Sequence, residues 1–135
     1  MDVKVLAIAI IRNGDLVLMR KKPSNSPYRE TWYLFGADVT RNKDIDSELK
    51  RHIKSQTGID IEIESKFSWD SEVKEDTDRQ LKQFFYLDTL CKYIGGELTT
   101  GSDIEKLKWV KISDLATYDI VPPSRIVFKK LKYIA

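Results

Sequence analysis

His52, Ser55 and Gln56 are spaced so that their side chains share one face of a predicted helix. They offer an imidazole, a hydroxyl and an amide, which could converge on a single ligand. The stretch 49–58 contains no Asp or Glu, but it carries three basic residues, Lys50, Arg51 and Lys54. Because hard divalent cations need oxygen ligands and gain most from charged ones, this face disfavours Mg²⁺. The pattern is better suited to an anion such as phosphate.

Acidic residues outside this stretch could rebuild a cation site. Glu48 lies one turn before His52 on the same face, Asp46 is near the helix start, and Glu105 precedes a later strand. These three acids are the alternative metal ligands. The competing interpretation is that Asp46 and Glu48 are solvated and are favoured near the helix start by its dipole.

His52 is the single histidine of the chain. An imidazole that titrates near neutral pH could serve as a general base, so His52 and Glu48 are the candidate catalytic residues. The alternative is a polar side chain on a partly buried helix face, since no partner for His52 is visible in the sequence.

Basic residues could bind phosphates directly, with charge-assisted hydrogen bonds taking over the neutralising role of a metal. Such binding requires no catalysis. The alternative is that these cations are scattered and solvated. The candidate substrate-binding residues are Arg20, Arg29, Lys50, Arg51 and Lys54.

Length and composition fit one domain, residues 1–135, with 41% hydrophobic and 33% charged residues. A net charge of +2 argues against a dedicated nucleic-acid binder. No apolar run approaches the roughly 20 residues that cross a bilayer, and no signal peptide is evident. The lone Cys91 excludes an internal disulfide framework. A cytoplasmic location and no membrane partner are the expectations.

Local signals place these residues on an alternating α/β pattern. Asn13-Gly14 predicts a hairpin between strands at 3–12 and 16–20. Asp44 predicts the start of a helix that runs to Thr57 and ends at Gly58. Residues 59–63 then alternate as a strand. The aromatics of the run 32–35 could stack on a base, but their strand position favours core packing.

The second half of the chain is less regular. The acidic stretch Asp70 to Arg79 suggests a mobile loop, and strands follow at 81–90 and 107–110. Ser113 is expected to cap a short helix to Tyr118. Pro122-Pro123 is expected to interrupt the chain before Ser124 opens a closing helix to Tyr133.

Three segments in this order carry a resemblance to a known family. They are Trp32-Tyr33-Leu34-Phe35-Gly36-Ala37, Thr57-Gly58-Ile59, and Trp109-Val110-Lys111-Ile112-Ser113-Asp114-Leu115. Together they resemble the Nudix hydrolase superfamily over nearly the whole chain. The resemblance implies an α/β (α+β) fold in which helices sandwich a mixed β-sheet.

The box that characterises this family has changed its charge in the present sequence. The family pattern is Gly, five residues, Glu, seven residues, then Arg-Glu-apolar-x-Glu-Glu-x-Gly-apolar. With Gly58 at the second glycine, Arg51, Ile53, Gly58 and Ile59 match. The acidic positions fall on Lys43, His52, Ser55 and Gln56. The box is therefore degenerate.

The resemblance implies hydrolysis of a nucleoside diphosphate linked to another group, with Mg²⁺ or Mn²⁺ neutralising the charge. The lost acids favour instead an impaired domain that binds a nucleotide or nucleotide-sugar and needs no cofactor. A divergent hydrolase with relocated ligands Asp46, Glu48 and Glu105, using Mg²⁺ or Mn²⁺, is one alternative. A protein-interaction module is the other. Domains of this superfamily often pair, so a homodimer stays open.

Overall fold

A mixed sheet forms the centre of the protein in the computed structural model, which describes residues 1–22, 26–101 and 106–135. Among the described residues the sheet has seven strands in the order β3-β2-β1-β6-β5, while β4 pairs with β1 and β7 with β2. β1 and β6 run parallel, and the other strand pairs are antiparallel. The strands are β1 Asp2–Asn13, β2 Leu16–Lys21, β3 Trp32–Tyr33, β4 Phe35–Asp38, β5 Ile59–Glu75, β6 Leu81–Gly96 and β7 Lys106–Lys111.

Helices cover both faces of the sheet, because successive residues of a strand point to opposite sides. Helix α1, Ile45–Thr57, buries Leu49 and Ile53 in one core cluster with Ala7 and Ala9 of β1. Helix α2, Pro122–Lys130, buries Val127 and Phe128 in a second cluster that includes Ile10. The expected α/β sandwich is thus the observed architecture.

The ends of α1 follow the signals in the sequence. The carboxylate of Asp44 accepts a hydrogen bond from the backbone N–H of Ser47 at 3.0 Å, as an N-cap does. Gly58 ends the helix with φ of 79°. A Cβ at that position would lie 2.6 Å from the carbonyl oxygen of Glu97. Only glycine fits this left-handed, closely approached position.

The mobile loop expected at 70–79 is wrong for its first part. β5 continues to Glu75 and pairs with β6, so that Asp70 lies opposite Tyr86 and Glu72 opposite Phe84. Only the turn after Glu75 connects the two strands. The acidic residues belong to a strand because alternate positions still point toward the protein, where their carboxylates find donors.

The C-terminal helices also begin elsewhere than expected. Ser113 lies inside a 3₁₀ helix, Ile112–Thr117, and does not cap it. The two prolines begin α2, where the first backbone N–H groups need no partner. Ser124 is a buried residue of α2, and its hydroxyl accepts the backbone N–H of Leu34 at 3.1 Å. In the part of the chain that is described, no helix combines the length and apolarity that crossing a bilayer would demand.

Candidate functional site

The helix face singled out by the sequence lies at the surface of α1. His52 and Gln56 are half-buried, whereas Ser55 is exposed. The basic residues Lys50, Arg51 and Lys54 are also exposed. We call these six residues the α1 surface.

His52 is neutral at neutral pH. Burial lowers the pKa of its imidazole, and the nearby cations Arg20 and Arg51 lower it further. Its Nε2 is buried and has no hydrogen-bond partner among the described residues. Asp38 is close enough to affect the pKa of His52, but no carboxylate of the described residues forms a hydrogen bond with the ring, so its catalytic role stays a prediction.

Two of the three acids proposed as alternative metal ligands, Asp46 and Glu48, form ion pairs with basic residues. Arg51 donates to Glu48 at 2.8 Å, and this hydrogen bond lowers the pKa of the Glu48 carboxyl. Lys66 forms an ion pair with Asp46. Glu105 lies outside the described residues. Within the described ranges no group of three or more His, Cys, Asp or Glu residues could hold a metal ion. The residues of α1 therefore do not fit Mg²⁺ or Mn²⁺.

The basic candidates differ in their surroundings. Lys54 forms an ion pair with Asp60 at 3.3 Å, and Arg51 is held by Glu48. Lys50 and Arg29 are exposed. Cations with this much water around them contribute little to the binding of a ligand unless several act together.

Arg20 is the exception among the basic candidates. Its guanidinium carbon lies 4.1 Å from the ring centre of Tyr33 and 4.8 Å from that of Phe35. Its Nε donates to the carbonyl oxygen of Leu34 at 3.2 Å. Burial lowers the pKa of Arg20, yet an arginine stays charged at neutral pH. No carboxylate pairs with it in the described part of the chain.

Arg20 lines a cavity of about 250 Å³. The volume is close to the lower end for small-molecule sites and has room for one ring system. The strands place alternate residues on its floor, and the start of α2 closes one side. The apolar lining is Leu6, Ile8, Tyr33, Leu34, Val121 and Pro123, and the polar lining includes Arg20, Tyr28, Lys74, Tyr86, Asp88 and Ser124.

One group of polar residues forms a hydrogen-bonded cluster in and beside the cavity wall. The hydroxyls of Tyr28 and Tyr86 both donate to Oε2 of Glu72 at 2.5 Å. Lys74 donates to the Tyr28 hydroxyl at 3.0 Å and lies 4.5 Å from the ring centre of Phe84. Burial lowers the pKa of Lys74 and raises the pKa values of both tyrosines. The cluster ties the segment after residue 25 to the sheet.

Asp88 is the most deeply buried acid of the cavity, with 3% of its surface exposed. The Ser68 hydroxyl donates to its Oδ2 at 2.8 Å. Burial, and then the neighbouring carboxyl of Asp70, raise the pKa of Asp88 to about 7. Lys130 pairs with Oδ1 of Asp70 at 2.7 Å, while Oδ2 of Asp70 is buried and has no hydrogen-bond partner among the described residues.

The predicted site residues are thus only partly brought together. Arg20 and His52 lie close enough for the cation to lower the pKa of the imidazole, and Arg51 contacts Glu48. Arg29 and the remaining residues of the α1 surface do not line the cavity. Lys74 and Asp88 were not among the predicted site residues. The signal for Asp88 is an acid within an apolar strand, since a charged residue is rarely buried without a reason.

Searches with the sequence give distant relatives and no matching family model. A protein of Escherichia fergusonii described as "Nucleoside triphosphatase NudI" is 24% identical over 124 residues, covering 87% of this chain and 88% of that protein. A protein of Enterobacter sp. with the same description is 24% identical over 132 residues, covering 93% and 94%.

Solved structures resemble the fold more closely. The MutT NUDIX hydrolase of Burkholderia pseudomallei superposes with a TM-score of 0.81 at 18% identity, covering 97% of this chain and 99% of that one. The MutT protein of Methanosarcina mazei Go1 gives a TM-score of 0.77 at 18% identity, covering 97% and 94%. At such identities, the likeness concerns the fold.

Proposed function

Because this chain has the fold of the Nudix hydrolase superfamily, we propose that it binds a nucleoside diphosphate derivative or related phosphate ligand without metal-dependent hydrolysis at α1. The observation that carries this proposal is Arg20, a half-buried cation in the cavity lining with no carboxylate partner among the described residues. A charge that loses part of its water normally has a partner of opposite sign. A phosphate of the ligand would supply that partner.

The surroundings of Arg20 favour a phosphate over a carboxylate of the protein. The ring centres of Tyr33 and Phe35 lie within 5 Å of the guanidinium carbon, and its Nε donates to a backbone carbonyl, not to a carboxylate. Arginine binds phosphate oxygens through two parallel hydrogen bonds, which are charge-assisted. His52 lies near the same guanidinium and is neutral at neutral pH, so the positive charge that attracts the anion comes from Arg20.

The lack of acids at the positions of the family box is the second support for the proposal. Divalent metals neutralise the charge that develops on a pyrophosphate during attack by water. In this chain the box positions carry Lys43, His52, Ser55 and Gln56, and Glu48 is held by Arg51. Cations of the protein would therefore hold the phosphates, and the hydrolytic step would be impaired.

Binding at Arg20 is tested by isothermal titration calorimetry with nucleoside di- and triphosphates in EDTA. We expect Arg20→Met to weaken binding by about tenfold or more, since charge-assisted hydrogen bonds are lost. The matched control is Arg41→Met, because Arg41 is an exposed arginine outside the cavity lining. Equal affinities of the two variants, or no binding of any nucleotide, would overturn the proposal.

A divergent hydrolase is the second candidate, and the relatives described as nucleoside triphosphatases favour it. Its ligands would be Asp46, Glu48 and Glu105. Turnover of a nucleotide panel with Mg²⁺ or Mn²⁺ that disappears in Glu48→Gln would support this candidate and contradict the impaired domain. If the protein shows neither nucleotide binding nor turnover, the protein-interaction module is favoured. A cytoplasmic location and a homodimer stay predictions.

A further inference from the structure

Asp88 lies on the floor of the cavity at the centre of the sheet. It follows Tyr86 on the same face of β6, and its partner in the parallel strand β1 is Ile8, another lining residue. Its immediate surroundings in the cavity are largely apolar. Burying an acid in such a place costs free energy that an apolar side chain at the same position would not.

The polar neighbours of Asp88 satisfy it only in part. Ser68 donates to Oδ2, and no cation forms an ion pair with Asp88 in the part of the chain that is described. Lys130 is paired with Oδ1 of Asp70. The other oxygen of Asp70 has no donor among the described residues. A proton shared between the two carboxyl groups would satisfy this oxygen of Asp70, which leaves an oxygen of Asp88 available to accept from a ligand.

We propose that Asp88 is a specificity residue that accepts a hydrogen bond from an amino N–H of a heteroaromatic base bound in the cavity. This inference rests on the proposed function, because the base would be joined to the phosphate that Arg20 holds. The geometry points to it through three observations: the carboxyl is 3% exposed, it lines a cavity of about 250 Å³, and it forms no ion pair among the described residues.

Both protonation states of Asp88 can accept this hydrogen bond. In the protonated state the hydrogen of the carboxyl can bridge to Oδ2 of Asp70, which leaves an oxygen of Asp88 free to accept. In the ionised state both oxygens accept, and the bond to the amino group becomes charge-assisted and stronger. An amino-bearing base therefore prefers the ionised form, and its binding lowers the pKa of Asp88 from about 7.

The charges around Asp88 come from several elements. β5 contributes Asp70, Glu72 and Lys74, and α2 contributes Lys130. β6 contributes Tyr86, and Arg20 of β2 lines the same cavity. Burial is the main cause of the raised pKa of Asp88; Asp70 raises this pKa further, whereas Ser68 and Lys130 lower it.

The test compares ligands that differ only in the amino group. Adenosine diphosphate is compared with purine riboside diphosphate, and cytidine diphosphate with its analogue that lacks the 4-amino group, by calorimetry at about pH 6 and about pH 8. Because each pair shares its phosphates, the affinity ratio removes the titration of the phosphate and of His52.

We expect at least one amino-bearing ligand to bind about fivefold to tenfold more tightly than its partner, with the ratio rising toward pH 8. In Asp88→Leu the ratio should fall to about one. In Asp88→Asn the amide oxygen still accepts, so a preference should persist without its pH dependence. The control is Asp114→Asn, because Asp114 is an exposed acid outside the cavity lining. This substitution should leave the affinity ratio and its pH dependence unchanged.

The failures of the two proposals are distinguishable. If nucleotides bind through Arg20 but no amino preference appears, or if the preference survives in Asp88→Leu, the role of Asp88 is overturned and the proposed function stands. If Asp88→Leu does not fold, a pH-dependent ratio that is unchanged in Asp88→Asn overturns it equally. If no nucleotide binds, both proposals fail.

Discussion

The α1 surface and the cavity differ in how their charged residues are paired. At α1 the charges are largely exposed, and several form ion pairs, as Glu48 does with Arg51 and Lys54 with Asp60. In the cavity, burial shifts the pKa values of Arg20 and Asp88, and neither forms an ion pair among the described residues. His52 is the half-buried residue of α1 whose pKa burial also lowers.

This difference indicates where ligand chemistry is concentrated. Groups held out of water without a partner interact more strongly with a ligand than paired groups at the surface do. The α1 side contributes mainly to folding, because Leu49 and Ile53 bury an apolar stripe there. We therefore expect substitutions in the buried stripe of α1 to lower stability and substitutions in the cavity to weaken ligand binding.

The largest effect is expected at the contact of α1 with the sheet. Leu49→Ala should lower the free energy of unfolding by about 3 kcal/mol, because Leu49 is 1% exposed and the substitution leaves a cavity. Urea denaturation measures this loss. Ile45→Ala, on the same helix but 36% exposed, should cost less than about 1 kcal/mol. Nucleotide affinity of the folded Leu49→Ala protein should not change. A loss of affinity in the folded variant would contradict the separate roles of α1 in stability and of the cavity in binding.

The next effect is a pair of opposite pH dependences. The pKa of Asp88 rises from 3.8 to about 7 on folding, so the folded state binds more protons between these values. Its contribution to stability falls as pH rises through this window and is constant above it. The pKa of His52 is lowered from 6.5, so the folded state binds fewer protons and stability is lost as pH falls below 6.5.

Variants separate these two contributions. Relative to the unmodified protein, Asp88→Asn should gain stability progressively as the pH rises from about 4 to about 7. His52→Gln should flatten the acid side of the profile instead. Urea midpoints measured across this range check both. If stability changes with pH in the same way in the two variants, Asp88 and His52 do not have the opposite effects expected here.

The elements set by local signals could be predicted from the sequence. Asn13-Gly14 connects β1 and β2, and Asp44 and Gly58 bound α1. The second half of β5 could not, because its strand character depends on pairing with β6 rather than on its own composition. The box likewise predicted a helix surface without acids.

The cavity was harder to predict than the helix. Arg20 was a candidate because of its charge, but its burial depends on Tyr33 and Phe35 across two other strands. Tyr28 and Glu72 are 44 positions apart, so no spacing rule brings them together. Such long-range contacts follow from the topology and leave no local pattern in the sequence.

The smallest effect is expected for Glu48→Gln, which removes the acid most suited to a relocated metal site. The ion pair of Glu48 with Arg51 is exposed, and such pairs add little to stability, so the urea midpoint should not move measurably. Nucleotide affinity should also match that of the unmodified protein, whereas Arg20→Met loses it. Calorimetry with and without Mg²⁺ measures both variants. If Glu48→Gln instead abolishes a metal-dependent change in affinity, α1 holds a cation despite its ion pairs, and ligand binding is not confined to the cavity.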